Sequence, residues 1–406
     1  MKGYDLNNFE NGKAFIHFDG VINGKFDYGP RICINTKGEK LFELPDREMI
    51  VNSFAEEDVA FVNGNNHKEA LMDNKGNFLT DFVYDNIYGG SEEGLFEVQR
   101  DKKHGHIDLQ GKEIIPCIYD KGNYFSEGIA AECLNGKWGM VDYFNNTVIP
   151  FEYEHIYTCK NNLINAKKNG KWGLINKSNE VVIDFIYDFI DCWTVRECLV
   201  FPATIKNDKW GLIDRYGQTV LDFNYNEIVC ISDDESNFGK YYKIRQDDKY
   251  AIYSAAEQCF LSGLVYDEVG MYSEGYISVK EKNKCGLVDL SQNYIVPPEY
   301  DYIREVFFEG LMLVMKDGKY GAINSAGDLV IPCYYRILNN CSEGLLCATN
   351  YNNDTGFIDK ENDIIIPFGK FINKSFGFSD GYAVVSDKEQ GDVYIDKTGK
   401  ILEIRL

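Results

Sequence analysis

The chain has 406 residues, 44 % hydrophobic and 14 % aromatic, enough apolar surface to build a core without disulfides and to exclude an intrinsically disordered protein. Its 42 Lys and Arg against 64 Asp and Glu leave a net charge of −22, which opposes nucleic-acid phosphate and anionic lipid and leaves basic protein surfaces as compatible partners. No apolar run near the amino end has signal-peptide length, and aliphatic runs such as Leu311–Met315 are too short to span a bilayer, so a cytoplasmic protein is expected. The twelve cysteines contain no C-x-x-C pair and read as reduced and mostly buried.

In chain order, Tyr4-Asp5-Leu6 and Gly12-Lys13-Ala14-Phe15 open a pattern that returns every 34 to 40 residues. Its clearest marks are Lys137-Trp138-Gly139, Lys171-Trp172-Gly173 and Lys209-Trp210-Gly211; the equivalent positions are Arg31, Glu69, His104, Trp138, Trp172, Trp210, Tyr250, Cys285, Tyr320, Thr355 and Asp392. Three predicted strands recur in each unit. Strand a follows an acidic-glycine pair (Glu93-Gly94, Glu127-Gly128, Glu274-Gly275, Glu309-Gly310, Glu343-Gly344, Asp380-Gly381) and alternates with period two, as in Leu95-Phe96-Glu97-Val98.

Strand b is the Trp-Gly-Leu-Ile-Asp segment. A tight loop follows, with Gly76, Gly111, Gly217, Gly327 or Gly399, or Asn145, Asn179 and Asn362, at a place that calls for positive φ, while the leading Asp can bond the turn backbone. Strand c comes next and is expected to end at Pro116, Pro150, Pro297, Pro332 and Pro367, or at Asp81, Asp184 and Asp222. Three residues later stands a tyrosine, such as Tyr119, Tyr153, Tyr187 or Tyr335, usually followed by Asp. The last strand c is Lys400–Ile404. No segment carries a long 3.6-residue apolar pattern, so helix should be scarce.

These residues resemble the bacterial WG-repeat, or KWG-repeat, family over nearly the whole chain, best around Trp138, Trp172, Trp210, Cys285 and Tyr320 and less well before residue 60 and after 355. Only three of the eleven units keep the tryptophan. The resemblance implies a tandem β-repeat serving in interactions and carries over no catalytic residue.

The fold expected is therefore all-β: one array over residues 1–406, of eleven three-stranded units of about 35 residues, with degenerate capping units near 1–60 and 370–406. An open β-solenoid or superhelix is favoured because the units run in phase, with none split to latch a ring; two β-propeller-like rings are the alternative.

The sequence assigns no catalytic, cofactor, metal or ligand-binding residue. The Trp position reads as a packing knob between units rather than a sugar-stacking ring. Lys68, Lys103, Lys137, Lys171, Lys209, Lys249, Lys284 and Lys319 precede it and read as ion-paired strand-edge residues, with Asp142, Asp214 and Asp289 as available carboxylates. Gly377-Phe378-Ser379-Asp380-Gly381 matches the hydrolase nucleophile elbow in letters only, being one unit's acidic-glycine lead. His104 and His106 share a strand face as half of a metal site with no visible second half. Cys117 and Cys333 share one repeat offset and read as packing, and the long steps within 193–244, including Ile231–Phe238, read as solvated loops. The expected function is a non-enzymatic scaffold for a protein or peptide partner, with no cofactor; an enzyme assembled across repeats and a secreted carbohydrate or cell-wall binder are the alternatives.

Overall fold

The computed structural model describes residues 3–22, 25–45, 49–54, 59–90, 93–158, 161–191, 200–205, 209–232, 239–371 and 377–405. Every helix or strand among them is a strand. They form eleven antiparallel sheets, nine of four strands, one of three and one of two, and in each sheet consecutive strands are neighbours. Chain contacts divide the protein into two compact units, Met1–Val83 with Glu299–Leu406, and Tyr84–Pro298.

Sheets and sequence repeats correspond, but a repeat supplies four strands where its pattern predicts three. Among the described residues the additional strand leads every sheet but the last and in most starts two residues after the repeat tyrosine, as in Lys121–Ser126, His155–Thr158 and Glu227–Cys230, and shrinks to Phe189–Ile190 or Tyr302–Ile303 elsewhere. It is too short and too polar for a period-two signal. The acidic-glycine pair is the turn that joins it to strand a: Ser126 pairs with Ile129 across Glu127 and Gly128, both at positive φ.

Strand c also differs from expectation. Proline does not end it but lies inside it, as in Glu113–Tyr119 with Pro116 and Leu329–Tyr335 with Pro332. The register explains the tolerance. Trp172 faces Tyr187 while Leu174 faces Ile183, so two residues on strand b span four on strand c, and the strand bulges at the proline position. A bulge on an outermost strand leaves an amide without a ladder partner, which proline can replace at no loss.

The bulge accounts for the glycine of Trp-Gly. A Cβ on Gly173 would meet the Ile183 carbonyl oxygen at 2.6 Å, and one on Gly105, Gly139, Gly211, Gly286 or Gly321 would meet the equivalent carbonyl at 2.4 to 2.6 Å. None of these glycines has a positive φ; close approach of strand c is what excludes a side chain.

Within a compact unit, a sheet flanked by two others buries one face on each of them. Within Tyr84–Pro298, Trp138, Met140, Ile149 and Tyr153 of one sheet pack with Ile156, Ile164, Ala166 and Ile175 of the next. That next sheet turns Trp172, Leu174, Ile183 and Tyr187 the other way, onto Ile190, Phe201, Ala203 and Ile213. Alternate residues of a strand thus serve opposite neighbours, the division that a period of two allows.

The favoured open solenoid, with free end units, is not what the first compact unit shows. There Leu6, Phe9, Ala14, Ile16, Ile32 and Ile34 of the first sheet share a core with Val384 and Tyr394 of the last. Phe9 lies 4.7 Å from Tyr394, ring centre to ring centre, and the last chain segment leaves its own sheet so that Arg405 N donates to Gly38 O at 2.7 Å and Lys40 N to Arg405 O at 3.2 Å. The first and last repeats are thus joined, by this shared core and by one parallel bridge between Glu39 and Arg405. The four-stranded up-and-down sheets are propeller-like blades, the architecture held as the alternative.

Candidate functional site

The backbone register sets the Trp position of each repeat in a row across its sheet. In one the row is His155, Lys167, Trp172, Tyr187; in the next, Phe189, Thr204, Trp210, Tyr225. Rings meet between sheets, Trp138 to His155 at 4.7 Å and Trp172 to Phe189 at 6.4 Å, and within a row, His155 to Trp172 at 5.7 Å and Phe189 to Trp210 at 6.0 Å. Lys167 Nζ sits 5.6 Å from the Trp172 ring centre. Trp138 and Trp172 are buried, as an inter-repeat knob requires.

In the repeat before Trp138 the same place holds His104, and the row Asn86, Gln99, His104, Tyr119 has become polar. His104 Nδ1 lies 2.5 Å from Glu97 Oε1, and its Nε2 lies 3.1 Å from Gln99 Nε2. Two residues on, His106 Nε2 meets Glu132 Oε1 of the following sheet at 2.7 Å, with both side chains fully enclosed. Gly122 closes the cluster: a Cβ there would stand 2.9 Å from Glu132 Oε2 and 3.3 Å from Glu97 Oε1. The two carboxylates therefore converge on one spot. Burial and the Glu97 charge push the Glu132 carboxyl well above the carboxylate range, and burial with His104 brings His106 down to about 3.

His104 and His106 do share a strand, and the structure adds what the sequence hides, a buried carboxylate for each. Glu97 is legible only as an acid within an apolar run, and Glu132 lies in another repeat. Among the described residues no group of three or more His, Cys, Asp or Glu is disposed to hold a metal ion. The cluster is an acid–imidazole network inside the core.

Of the eight lysines before the Trp position, Lys103, Lys171 and Lys249 form ion pairs, though not with the carboxylates named for them. Lys103 Nζ reaches Asp120 and Lys249 Nζ reaches Asp267, each at 2.6 Å, and Lys171 pairs with Asp188. These are the acids that follow the repeat tyrosine. Asp142 instead accepts loop amides from Phe144 and Asn146 at 2.9 and 2.8 Å, and Asp214 and Asp289 accept loop amides in the same way.

Ser379 Oγ donates to the Phe9 carbonyl at 2.7 Å and ties the last repeat to the first. Of the nine described cysteines, all free thiols, Cys33, Cys133, Cys341 and Cys347 are buried, Cys259 is exposed, and the others, with Cys117 and Cys333, are half-buried. Residues 192–199 and 233–238, and with them most of the two long loops, lie outside the described residues.

Two links between repeats escaped the sequence. Tyr119, Tyr153 and Tyr335 donate their hydroxyls to Asn145, Asn179 and Asn362 of the following repeat at 2.6 to 2.7 Å, and Tyr266 does so to Gln292. Each acceptor is the positive-φ loop residue. The acid of the acidic-glycine turn captures amides of the same turn one repeat on: Glu93 takes Gly128 N, Glu127 Asn161 N, Glu309 Gly344 N and Glu343 Gly381 N. Asp380 takes Gly12 N at 2.8 Å, from last repeat to first.

Seven segments, residues 71–103, 105–138, 138–172, 172–194, 210–250, 263–285 and 286–320, match the family described as "WG containing repeat". The chain belongs to the WG-repeat family. Most boundaries of these WG repeats fall at or near the Trp positions, so that segments such as 105–138 and 138–172 run from strand b of one sheet into strand b of the next. No curated protein matches this WG-repeat chain.

Among solved structures it is similar to a eukaryotic initiation factor at 9 % identity and a TM-score of 0.43, over 73 % of this chain and 92 % of that one. It is also similar to the extracellular domain of a hybrid two-component system from B. thetaiotaomicron (12 %, TM-score 0.25, 96 % and 68 % covered) and to BamB from Moraxella catarrhalis (9 %, 0.28, 78 % and 95 %).

Proposed function

We propose that this WG-repeat chain is a non-enzymatic scaffold that captures a basic protein or peptide in the cytoplasm and binds neither nucleic acid nor membrane. The observation that carries the reading is the surface of strand c, the outermost strand of its sheet. At two repeat offsets it exposes apolar side chains: Val181, Leu329 and Ile364 at one, Ile118, Ile186 and Tyr334 at the other. Carboxylates such as Asp184, Asp222 and Glu299 lie exposed on the same strands. Apolar contact beside negative charge suits an extended basic segment, and the net charge of −22 opposes phosphate. Burial of Trp138 and Trp172 weighs against sugar stacking, and enclosure of the His106–Glu132 pair against a catalytic use of that cluster.

The test is a tagged pull-down from native cytoplasm with mass spectrometry, beside DNA and RNA shift assays at low salt. A basic partner whose association slows as salt rises supports the reading. Tight nucleic-acid binding, or recovery of a turned-over metabolite without a protein partner, overturns it.

A further inference from the structure

We propose that His106 and Glu132 together retain one proton that the unfolded chain releases near neutral pH, so that the junction between their two repeats is tightest in mildly acidic solution and loosens in alkaline solution.

The pair bridges neighbouring sheets: His106 stands on Lys103–Asp108 and Glu132 on Ile129–Leu134. Its 2.7 Å contact is sealed from solvent, and the edge-on Phe125 ring lies 4.8 Å from the imidazole. Glu132 Oε2 and His106 Nδ1 have no hydrogen-bond partner. An ionised Glu132 would hold undispersed charge on Oε2 at the spot below Gly122 that Glu97 Oε1 also faces. An imidazolium would in turn leave its second N–H without an acceptor. The arrangement that places no charge in this sealed space is a protonated carboxyl donating to the Nε2 of a neutral imidazole, whose Nδ1–H lacks an acceptor whether or not the ring is charged.

Other ionisable groups do not undo this. Glu97 and His104 face the pair from the first sheet, and Tyr119 and Cys133 feel the Glu132 charge. The exposed Lys121 acts on Cys133 and His155.

The direction of the pH effect follows from proton counts. His106 titrates only near 3 in the folded chain and Glu132 well above 4.5, so between those limits the folded pair carries one proton. The unfolded chain, with ordinary values of 4.5 and 6.5, carries two protons below 4.5, one from there to 6.5, and none above. Stability from the pair therefore rises with pH up to 4.5, is level to 6.5, and falls beyond it until Glu132 ionises in the folded state.

Urea unfolding of the full chain between about pH 5 and 9 reads this out. Above 6.5 the unfolding constant should rise by up to about tenfold per pH unit more than in Glu132→Gln, whose neutral amide needs no proton. In His106→Gln the fall should persist but begin near 4.5, because the unfolded chain no longer takes up the histidine proton. Infrared spectra of the unmodified chain give an independent measurement: a protonated-carboxyl stretch present at neutral pH and lost on alkalinisation. Equal pH slopes in the original chain and Glu132→Gln, or absence of that stretch at neutral pH, would overturn the proposal.

Discussion

At the scale of single residues, the Trp-Gly pair performs two separable tasks. The tryptophan fills the space between sheets: Trp172 packs with Phe201 and Ala203 of the following sheet and lies 6.4 Å from the Phe189 ring. Trp172→Ala should destabilise the protein by about 3–5 kcal/mol in urea unfolding, and an unchanged midpoint would show the ring to be a surface group. Its glycine makes room for the bulge of strand c, so Gly173→Ala should cost about 1–3 kcal/mol although it adds only a methyl group. The repeat tyrosine is a donor as well as a core ring. Tyr153→Phe, which strands Asn179 Oδ1, should lower stability by about 0.5–1.5 kcal/mol.

At the scale of the element, strand c shows how a local rule is overruled by a neighbour. Proline and aspartate at one repeat offset suggest a strand end, because proline lacks a donor and aspartate favours turns. The strand nevertheless runs on to the tyrosine, since the bulge leaves that amide outside the ladder. Asp184→Pro should therefore be nearly neutral in thermal or urea unfolding, within about 1 kcal/mol, whereas proline in the middle of a ladder would cost far more. A large loss would mean that the Asp184 amide is bonded within the fold. Strands a and b were legible because they are long, apolar and separated by turn residues. The leading strand was not, because Phe189–Ile190 is held by pairing with Ala203 and Thr204 rather than by any pattern of its own.

At the scale of the whole molecule, each repeat depends on its neighbour for a core, and within the first compact unit this dependence runs from the last repeat to the first. Phe9 is almost wholly buried against Tyr382 and Tyr394. Phe9→Ala should cost about 3–5 kcal/mol and speed amide exchange in Tyr382–Asp387 and Gly391–Asp396, far away in sequence. Unchanged exchange there would show that the last repeat holds itself together.

The sequence by itself determined the all-β class, the number and phase of the repeats, the family, and the turn positions that need positive φ, such as Asn145 and Gly217. Those properties are written in short-range periodicity and in the conformational limits of single residues. Only the tertiary structure decided that a repeat has four strands, that Gly173 faces a backbone carbonyl, that Glu132 meets His106, and that Asp380 reaches Gly12. Each of these is a contact between segments whose separation along the chain leaves no periodic trace. What brings them together is the need of every small sheet to bury both its faces.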